Sequence, residues 1–262
     1  MRKTLTGLAL ALVACLPVYA TTYFSGTSIP IPTGLVQGDE FQLVFVTSET
    51  YTGASTNISD YNTDVTISAN EATSLVDGLG ITWSALVSTA AVNVFSNIVN
   101  TSPSLTNFEG IFDLAGNFVA DGTETTAKGM YYGGLQNPMD ITEYGTSTNY
   151  NVWTGTSQLG GTAYSGQYAL GTATPFSGLS GVTNTQWTEA YIISAGSALK
   201  LYAISNALYL GPGSMLETQA PAPEPATIGM TLLGLAACYL ATRRKRMAAP
   251  SQPTIGTTPE SR

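Results

Sequence analysis

Phe41-Gln42-Leu43-Val44-Phe45-Val46 sets apolar side chains at alternating positions, the period of a β-strand. The next stretch has a different rhythm. Tyr51-Thr52-Gly53 turns the chain. Across residues 60–75, Tyr61, Val65, Ala69, Ala72 and Leu75 recur at helical spacing, with Ser59 placed to cap the first turn. Gly78 and Gly80 end that helix. Strand-like sequence then returns: a short buried strand over 81–87, a hairpin over 111–120 turning near Ala115-Gly116-Asn117, and a strand edge over 151–155. Gln186-Trp187-Thr188 and residues 199–204 read as late strands. One early helix followed by many short strands and long loops predicts an α+β fold, with an all-β sandwich as the alternative. No regular short repeat is evident, so neither a solenoid nor a propeller is expected.

Residues 21–218, roughly 200 in number, are a sensible length for one domain. Their chemistry is unusual. The chain has nine Lys and Arg against seventeen Asp and Glu, no histidine, and a net charge of −8. Of the nine cations only Lys128 and Lys200 lie inside that domain, and of the seventeen carboxylates only Glu260 lies beyond residue 225. Such a surface repels phosphate backbones, so nucleic acid is not an expected partner. The two cysteines, Cys15 and Cys238, fall outside the domain, which therefore forms no disulfide.

Both ends carry targeting chemistry. Arg2 and Lys3, an apolar stretch over 5–16 and Val18-Tyr19-Ala20 make a secretory signal peptide over 1–20, cleaved after Ala20. The partners this implies are the Sec translocon and signal peptidase. Leu12-Val13-Ala14-Cys15 also fits a lipoprotein box, in which Cys15 would be lipidated. At the other end, a linker over 219–225 holding Pro223-Glu224-Pro225 precedes an uncharged apolar run over 226–242 and then Arg243-Arg244-Lys245-Arg246. About 17 helical residues rise some 26 Å, the short end of what crosses a hydrocarbon core of about 30 Å. The basic cluster is the cytoplasmic stop. Residues 226–246 are thus expected to anchor the chain in the inner membrane, with the domain on the periplasmic side. Residues 247–262, with Pro250, Pro253 and Pro259, read as a disordered cytoplasmic tail.

This three-part ending resembles the PEP-CTERM sorting signal of Gram-negative bacteria. The resemblance rests on Pro223, Glu224 and Pro225, on the apolar helix with Gly229, Gly234 and Leu235, and on Arg243, Arg244, Lys245 and Arg246. It implies recognition by an exosortase, then release or re-attachment at the cell surface or in the extracellular matrix, often alongside exopolysaccharide and biofilm. Members usually stop soon after the basic cluster, whereas this chain runs on to Arg262. A single-pass anchor that is never cut is the plainer alternative.

The order of signals in the domain also resembles the endostatin-like branch of the C-type lectin-like fold. The matching pieces are Phe45-Val46-Thr47-Ser48 with Tyr51-Thr52-Gly53, Gly78-Leu79-Gly80 and Trp83-Ser84-Ala85-Leu86-Val87-Ser88. Phe112-Asp113-Leu114-Ala115-Gly116 with Val119-Ala120-Asp121-Gly122, then Val152-Trp153-Thr154-Gly155-Thr156, Gln186-Trp187-Thr188 and Leu201-Tyr202-Ala203-Ile204 complete it. The resemblance implies a fold but no binding site. The stapling cysteines of the fold are missing, as are the loops that carry calcium-dependent sugar binding.

Catalytic motifs are sparse. Without histidine or a cysteine in the domain, a Ser-His-Asp triad and a thiol nucleophile are excluded. No nucleophile elbow and no phosphate-cradling loop occurs, and no cofactor is expected. Asp113, Asp121, Glu143 and Glu189 are the carboxylates from which a glycan hydrolase would draw its pair. Asp113, Asn117, Asp121 and Glu124 are the cluster from which calcium would draw oxygen ligands. Turn chemistry explains Asn117 and Asp121 equally well. Trp83, Trp153 and Trp187 offer faces for stacking on sugar rings, against the plainer role of core packing. Asn57-Ile58-Ser59 and Asn100-Thr101-Ser102 are formal glycosylation acceptors of little weight in a bacterium. The expectation is a non-enzymatic exported surface protein. A carbohydrate-binding module is the alternative, and a carboxylate-dependent hydrolase the lesser one.

Overall fold

The computed structural model describes residues 22–24, 29–32, 34–98, 107–121, 128–212 and 216–218, all within one unit, Ala20–Ala220. The leader with Ala20 and Cys15, Asn100, Glu124, and everything from residue 219 onward lie outside the described residues. That includes Pro223, Glu224, Pro225 and the basic stop. Among the described residues no helix is long and apolar enough to cross a membrane.

The fold is a mixture of sheet and helix in which sheet dominates. In chain order the elements are β1 (Thr22–Phe24), β2 (Glu40–Val46), β3 (Tyr51–Thr52), α1 (Ile58–Ala69), β4 (Trp83–Ala85) and α2 (Val94–Asn97). Then come β5 (Phe108–Asp113), β6 (Phe118–Ala120), α3 (Lys128–Gly133), β7 (Asn151–Trp153) and β8 (Phe176–Leu179). Last are β9 (Tyr191–Ile192), β10 (Ala198–Ser205), β11 (Leu208–Leu210) and β12 (Leu216–Thr218).

All twelve of these strands join one hydrogen-bonded sheet with β10 as its spine. β10 pairs antiparallel with β2, β3 and β4 and parallel with β7, through which β8 and β9 are added. On the other edge of the sheet's middle, β2 pairs parallel with β5, and β5 continues into the β5–β6 hairpin. Between β10 and β11 the pairing with β2 slips from Ile204↔Val44 to Leu208↔Phe41, one residue too many. Ser205 fills the gap: its Oγ accepts from Leu43 N at 2.9 Å, and its carbonyl accepts from Gln42 Nε2 at 2.8 Å.

Every residue of β2 is buried. The alternation seen in its sequence therefore distributes side chains between two cores rather than between core and water. Phe41, Leu43 and Phe45 enter a cluster with Leu201, Trp83, Trp153 and the α1 residues Tyr61, Val65 and Ala69. Val44 and Val46 enter another with Ile111, Val119, Met130, Tyr131, Trp187 and Tyr202. A sheet covered on both faces has near-continuous apolar strands at its centre.

Three expectations need correction. Helix α1 stops at Ala69 rather than Leu75, and its cap is Asn57 rather than Ser59: Asn57 Oδ1 accepts from Ser59 N at 3.3 Å. Asn70 closes the far end, its Nδ2 donating to Thr66 O at 2.8 Å, and Thr73 then takes a left-handed φ of 74°. Ala72 is consequently exposed. Trp187 lies not in a strand but in the 3₁₀ turn Thr185–Trp187, capped by Asn184. The residue is still a core residue, since 3₁₀ geometry tips its ring onto Tyr131 and Tyr202 at centroid distances of 4.7 and 5.9 Å.

Candidate functional site

The tryptophans are structural. Trp83, Trp153 and Trp187 are 3, 0 and 2% exposed, so none presents a face to a sugar. Trp83 packs edge-on against Phe45 at 4.8 Å. Trp153 donates its indole N–H to Tyr51 O at 2.8 Å.

Asp113 is occupied by its own hairpin. Its Oδ1 accepts from Ala115 N at 2.9 Å and Asn117 N at 2.8 Å, and its Oδ2 accepts from Asn117 Nδ2 at 2.8 Å. These are the bonds of an Asx-type turn around Gly116, whose φ of 82° suits glycine. The oxygens expected to face calcium or a substrate face donors of the hairpin itself instead, two backbone and one side-chain. Asn117 points its amide, a donor, at the carboxylate, which is the wrong polarity for a cation ligand. Asp121 is exposed. Among the described residues no group of three or more carboxylates or other ligating side chains could hold a metal.

Glu143 is fully buried. Its carboxylate accepts from Ser48 N at 2.9 and 3.1 Å and from the Ser48 hydroxyl. Burial pushes the carboxyl above its ordinary range, the Ser48 bonds oppose this, and the Glu71 charge adds to it. Next to it Lys200 Nζ donates to Thr47 O at 3.0 Å and to Ser48 O. Burial lowers the Lys200 ammonium, against the pull of Glu143 and Glu49. Together Glu143 and Lys200 pin the bend that carries β2 into β3. A groove of about 360 Å³ runs beside Lys200, lined also by Thr50, Asn151 and Tyr150, whose ring centroid is 5.2 Å from Nζ. The cation there already has two carbonyls and two carboxylates for company.

Glu189 sits differently. A second groove, of about 350 Å³, is lined by Ser157, Gln158, Leu159, Thr162, Tyr164 and Glu189. It is built by the loop after β7. Thr156 bridges to Thr162, and the turn between closes through Ser157 N→Gly161 O and Gly160 N→Ser157 O, both 2.9 Å. Thr156 Oγ1 roots the loop on buried Ser88 at 2.9 Å. Gly160 is required because a Cβ there would come within 2.1 Å of the Phe95 ring. The chain then does something costly: Tyr164 and Ser165 adopt φ/ψ of 44°/58° and 56°/30°, left-handed conformations that cost a non-glycine residue about 1–3 kcal/mol each. The result is an outward phenol. Tyr164 is 61% exposed, yet its ring leans on Tyr168 and Phe176, each at 5.7 Å. Its hydroxyl donates to Glu189 Oε1 at 3.3 Å, and Gln158 N donates to Glu189 Oε2 at 3.2 Å. The Glu189 charge raises the Tyr164 phenol, keeping it neutral.

Of the four carboxylates singled out from sequence, each has a different set of neighbours, and no hydrogen bond joins any two. Glu189 borders the groove lined by Tyr164. Its partner Tyr164 carries no signal in sequence, because neither its exposure nor its backbone conformation follows from residue type. No protein-family model matches the chain, and no curated protein matches it.

Proposed function

We propose that this chain is an exported, non-enzymatic cell-surface or extracellular-matrix protein. In this reading it passes the Sec translocon, loses its leader after Ala20, and is held in the inner membrane by residues 226–246. An exosortase then cuts it at Pro223-Glu224-Pro225. The observation that carries the reading is the order of that ending: proline-rich spacer, uncharged apolar run, and four consecutive cations in Arg243, Arg244, Lys245 and Arg246. The chemistry of the domain supports it. A unit without cysteine does not depend on the redox state outside the cytoplasm, and its excess of carboxylates favours a solvated surface. The C-type lectin-like fold belongs to the same proposal. Its support is one long early helix, α1, followed by the short α2 and α3, a mixed sheet with a long central strand, and long loops carrying the grooves.

Mass spectrometry of the protein from its native cells tests the reading at both ends. Processing is expected to remove everything after the Pro223 region and to leave Thr21 first. Alanine at Pro223, Glu224 and Pro225 is expected to leave the tail in place and the protein in the membrane fraction. Native protein that still carries residues 226–246 would refute the exosortase step.

A second reading, a carbohydrate-binding role in exopolysaccharide, is favoured by one feature: the Tyr164–Glu189 groove, which pairs an exposed aromatic face with a carboxylate. A hydrolase draws no support from Asp113 or Glu143, each enclosed by donors of its own loop or of the bend beside it.

A further inference from the structure

We propose that the groove bounded by Tyr164 and Glu189 binds a neutral, hydroxyl-rich sugar ring and does so without calcium. The inference rests on the carbohydrate-binding reading and gives it a place and a ligand class. Three observations converge. First, Tyr164 is exposed but not loose, since Tyr168 and Phe176 buttress its ring. A fixed aromatic face loses little entropy when a flat apolar surface stacks on it. The C–H face of a pyranose is such a surface. Second, the polar atoms at the rim call for hydroxyls. Among the described residues Glu189 receives two long bonds, 3.2 and 3.3 Å, and a carboxylate has about four acceptor sites. The remaining sites accept O–H groups, Gln158 and Thr162 both donate and accept, and Ser157, whose own O–H goes to Gly161 O at 3.2 Å, can still accept. A negatively charged ligand meets Glu189 and is repelled, which excludes uronates and phosphates. Third, the strain has a purpose only if something uses Tyr164. Tyr164 and Ser165 precede Gly166, also left-handed at φ 94°. Glycine at 164 would relieve the strain, yet this chain carries a tyrosine there. The groove's volume of about 350 Å³ lies at the small end of ligand sites, roughly 300–1,000 Å³. Calcium is assigned no part, because among the described residues Glu189 is the only carboxylate in the lining and no group of three or more ligating side chains could hold a metal.

The test is isothermal titration of the full-length protein in a detergent without a sugar headgroup. The probes are neutral oligosaccharides of glucose, galactose and mannose, then polygalacturonate and choline chloride, each with and without EDTA. At least one neutral oligosaccharide is expected to bind equally well in EDTA. Tyr164→Gly is expected to weaken that binding by at least about tenfold while raising the melting temperature, which separates loss of ligand from loss of fold. Glu189→Gln is expected to weaken it several-fold, and Tyr132→Ala, an exposed tyrosine outside the groove, to leave it unchanged. Sugar binding that survives in Tyr164→Gly would overturn the site but not the carbohydrate reading. Preferential binding of polygalacturonate, or binding of choline in place of sugar, would overturn the ligand class. No binding to any glycan would remove the carbohydrate reading itself. None of these outcomes touches the sorting proposal, which is read by mass.

Discussion

Replacing Asp113 separates a turn-forming carboxylate from a calcium ligand. The side chain is 1% exposed and accepts three hydrogen bonds, at 2.9, 2.8 and 2.8 Å. A bond to a charged acceptor contributes about 1.5–3 kcal/mol, so a simple sum would exceed about 4 kcal/mol. That sum is too large here. Ala115 and Asn117, which own the donors, are exposed, so water replaces Asp113 once it is gone. About 1 kcal/mol per bond is the better figure, giving about 3 kcal/mol for Asp113→Ala. Asp113→Asn keeps Oδ1 and both backbone bonds but turns an amide toward Asn117 Nδ2, and is expected to cost about 1 kcal/mol. For a unit of this size each kcal/mol moves the melting temperature by about 2–4 °C. The expected falls are therefore about 6–12 °C for alanine and about 2–4 °C for asparagine. Thermal unfolding by circular dichroism, repeated with calcium chloride and with EDTA, reads both. An asparagine variant as unstable as the alanine variant would contradict the turn-forming role of Asp113. A calcium-dependent rise in the melting temperature of the wild type but not of Asp113→Asn would contradict it equally.

Two further perturbations address the core and the buried charges. Gly178→Ala in β8 would set a methyl group 1.8 Å from Trp187 O and 2.4 Å from its carbonyl carbon. Backbone cannot yield there without moving Trp187 out of the core, so a loss of at least about 3 kcal/mol is expected, with red-shifted tryptophan fluorescence; a near-neutral variant would contradict the packing. Burial raises the carboxyls of Glu143 and Glu40 above their ordinary range in the folded chain. The folded state therefore holds these protons more tightly than the unfolded one. Their contribution is fully present below the ordinary carboxylate range and is lost as pH rises through the raised values. Urea denaturation is thus expected to show stability rising from pH 7 toward pH 5, with Glu143→Gln flattening the profile. A profile that falls over that interval would show the burial reading to be wrong.

The middle of the fold is legible because its signals are local. β2, β10 and the β5–β6 hairpin announce themselves by apolar alternation and by a glycine where the turn needs one. The parts that are not legible depend on contacts distant in sequence or on a backbone choice that residue type leaves open. Nothing in residues 70–75 says that Asn70 turns its amide back onto Thr66 and closes the helix early. β8 and β9 carry little signal because Phe176–Leu179 contains a serine and a glycine, and Gly178 is needed only because Trp187 O lies against it. The candidate site divides the same way. Glu189 is visible in the sequence as one carboxylate among many. Tyr164 is not, since its value comes from a backbone conformation that tyrosine seldom adopts and from Tyr168 and Phe176 behind it.

The same contrast explains how a loop-rich unit holds together without a disulfide. Polar side chains that look like surface chemistry in the sequence are spent on fastening loops. Asn62 and Asn97 bond each other at 2.8 and 2.9 Å, while Asn62 also accepts from Ala85 N and Asn97 also donates to Ala85 O, tying α1, α2 and β4 together. Ser88 accepts from both Thr156 and Val94, joining the loop under the groove to the start of α2. Ser180 and Ser205 do the same for β7 and β2. At about 1 kcal/mol net per bond, the four bonds around Asn62 and Asn97 alone rival one disulfide, typically about 2–4 kcal/mol. Groups committed in this way are not available to a ligand. Tyr164 is the exception: its conformation is costly and its ring remains open to solvent. That contrast, more than any residue type, is what directs attention to this groove rather than to the tryptophans or to Asp113.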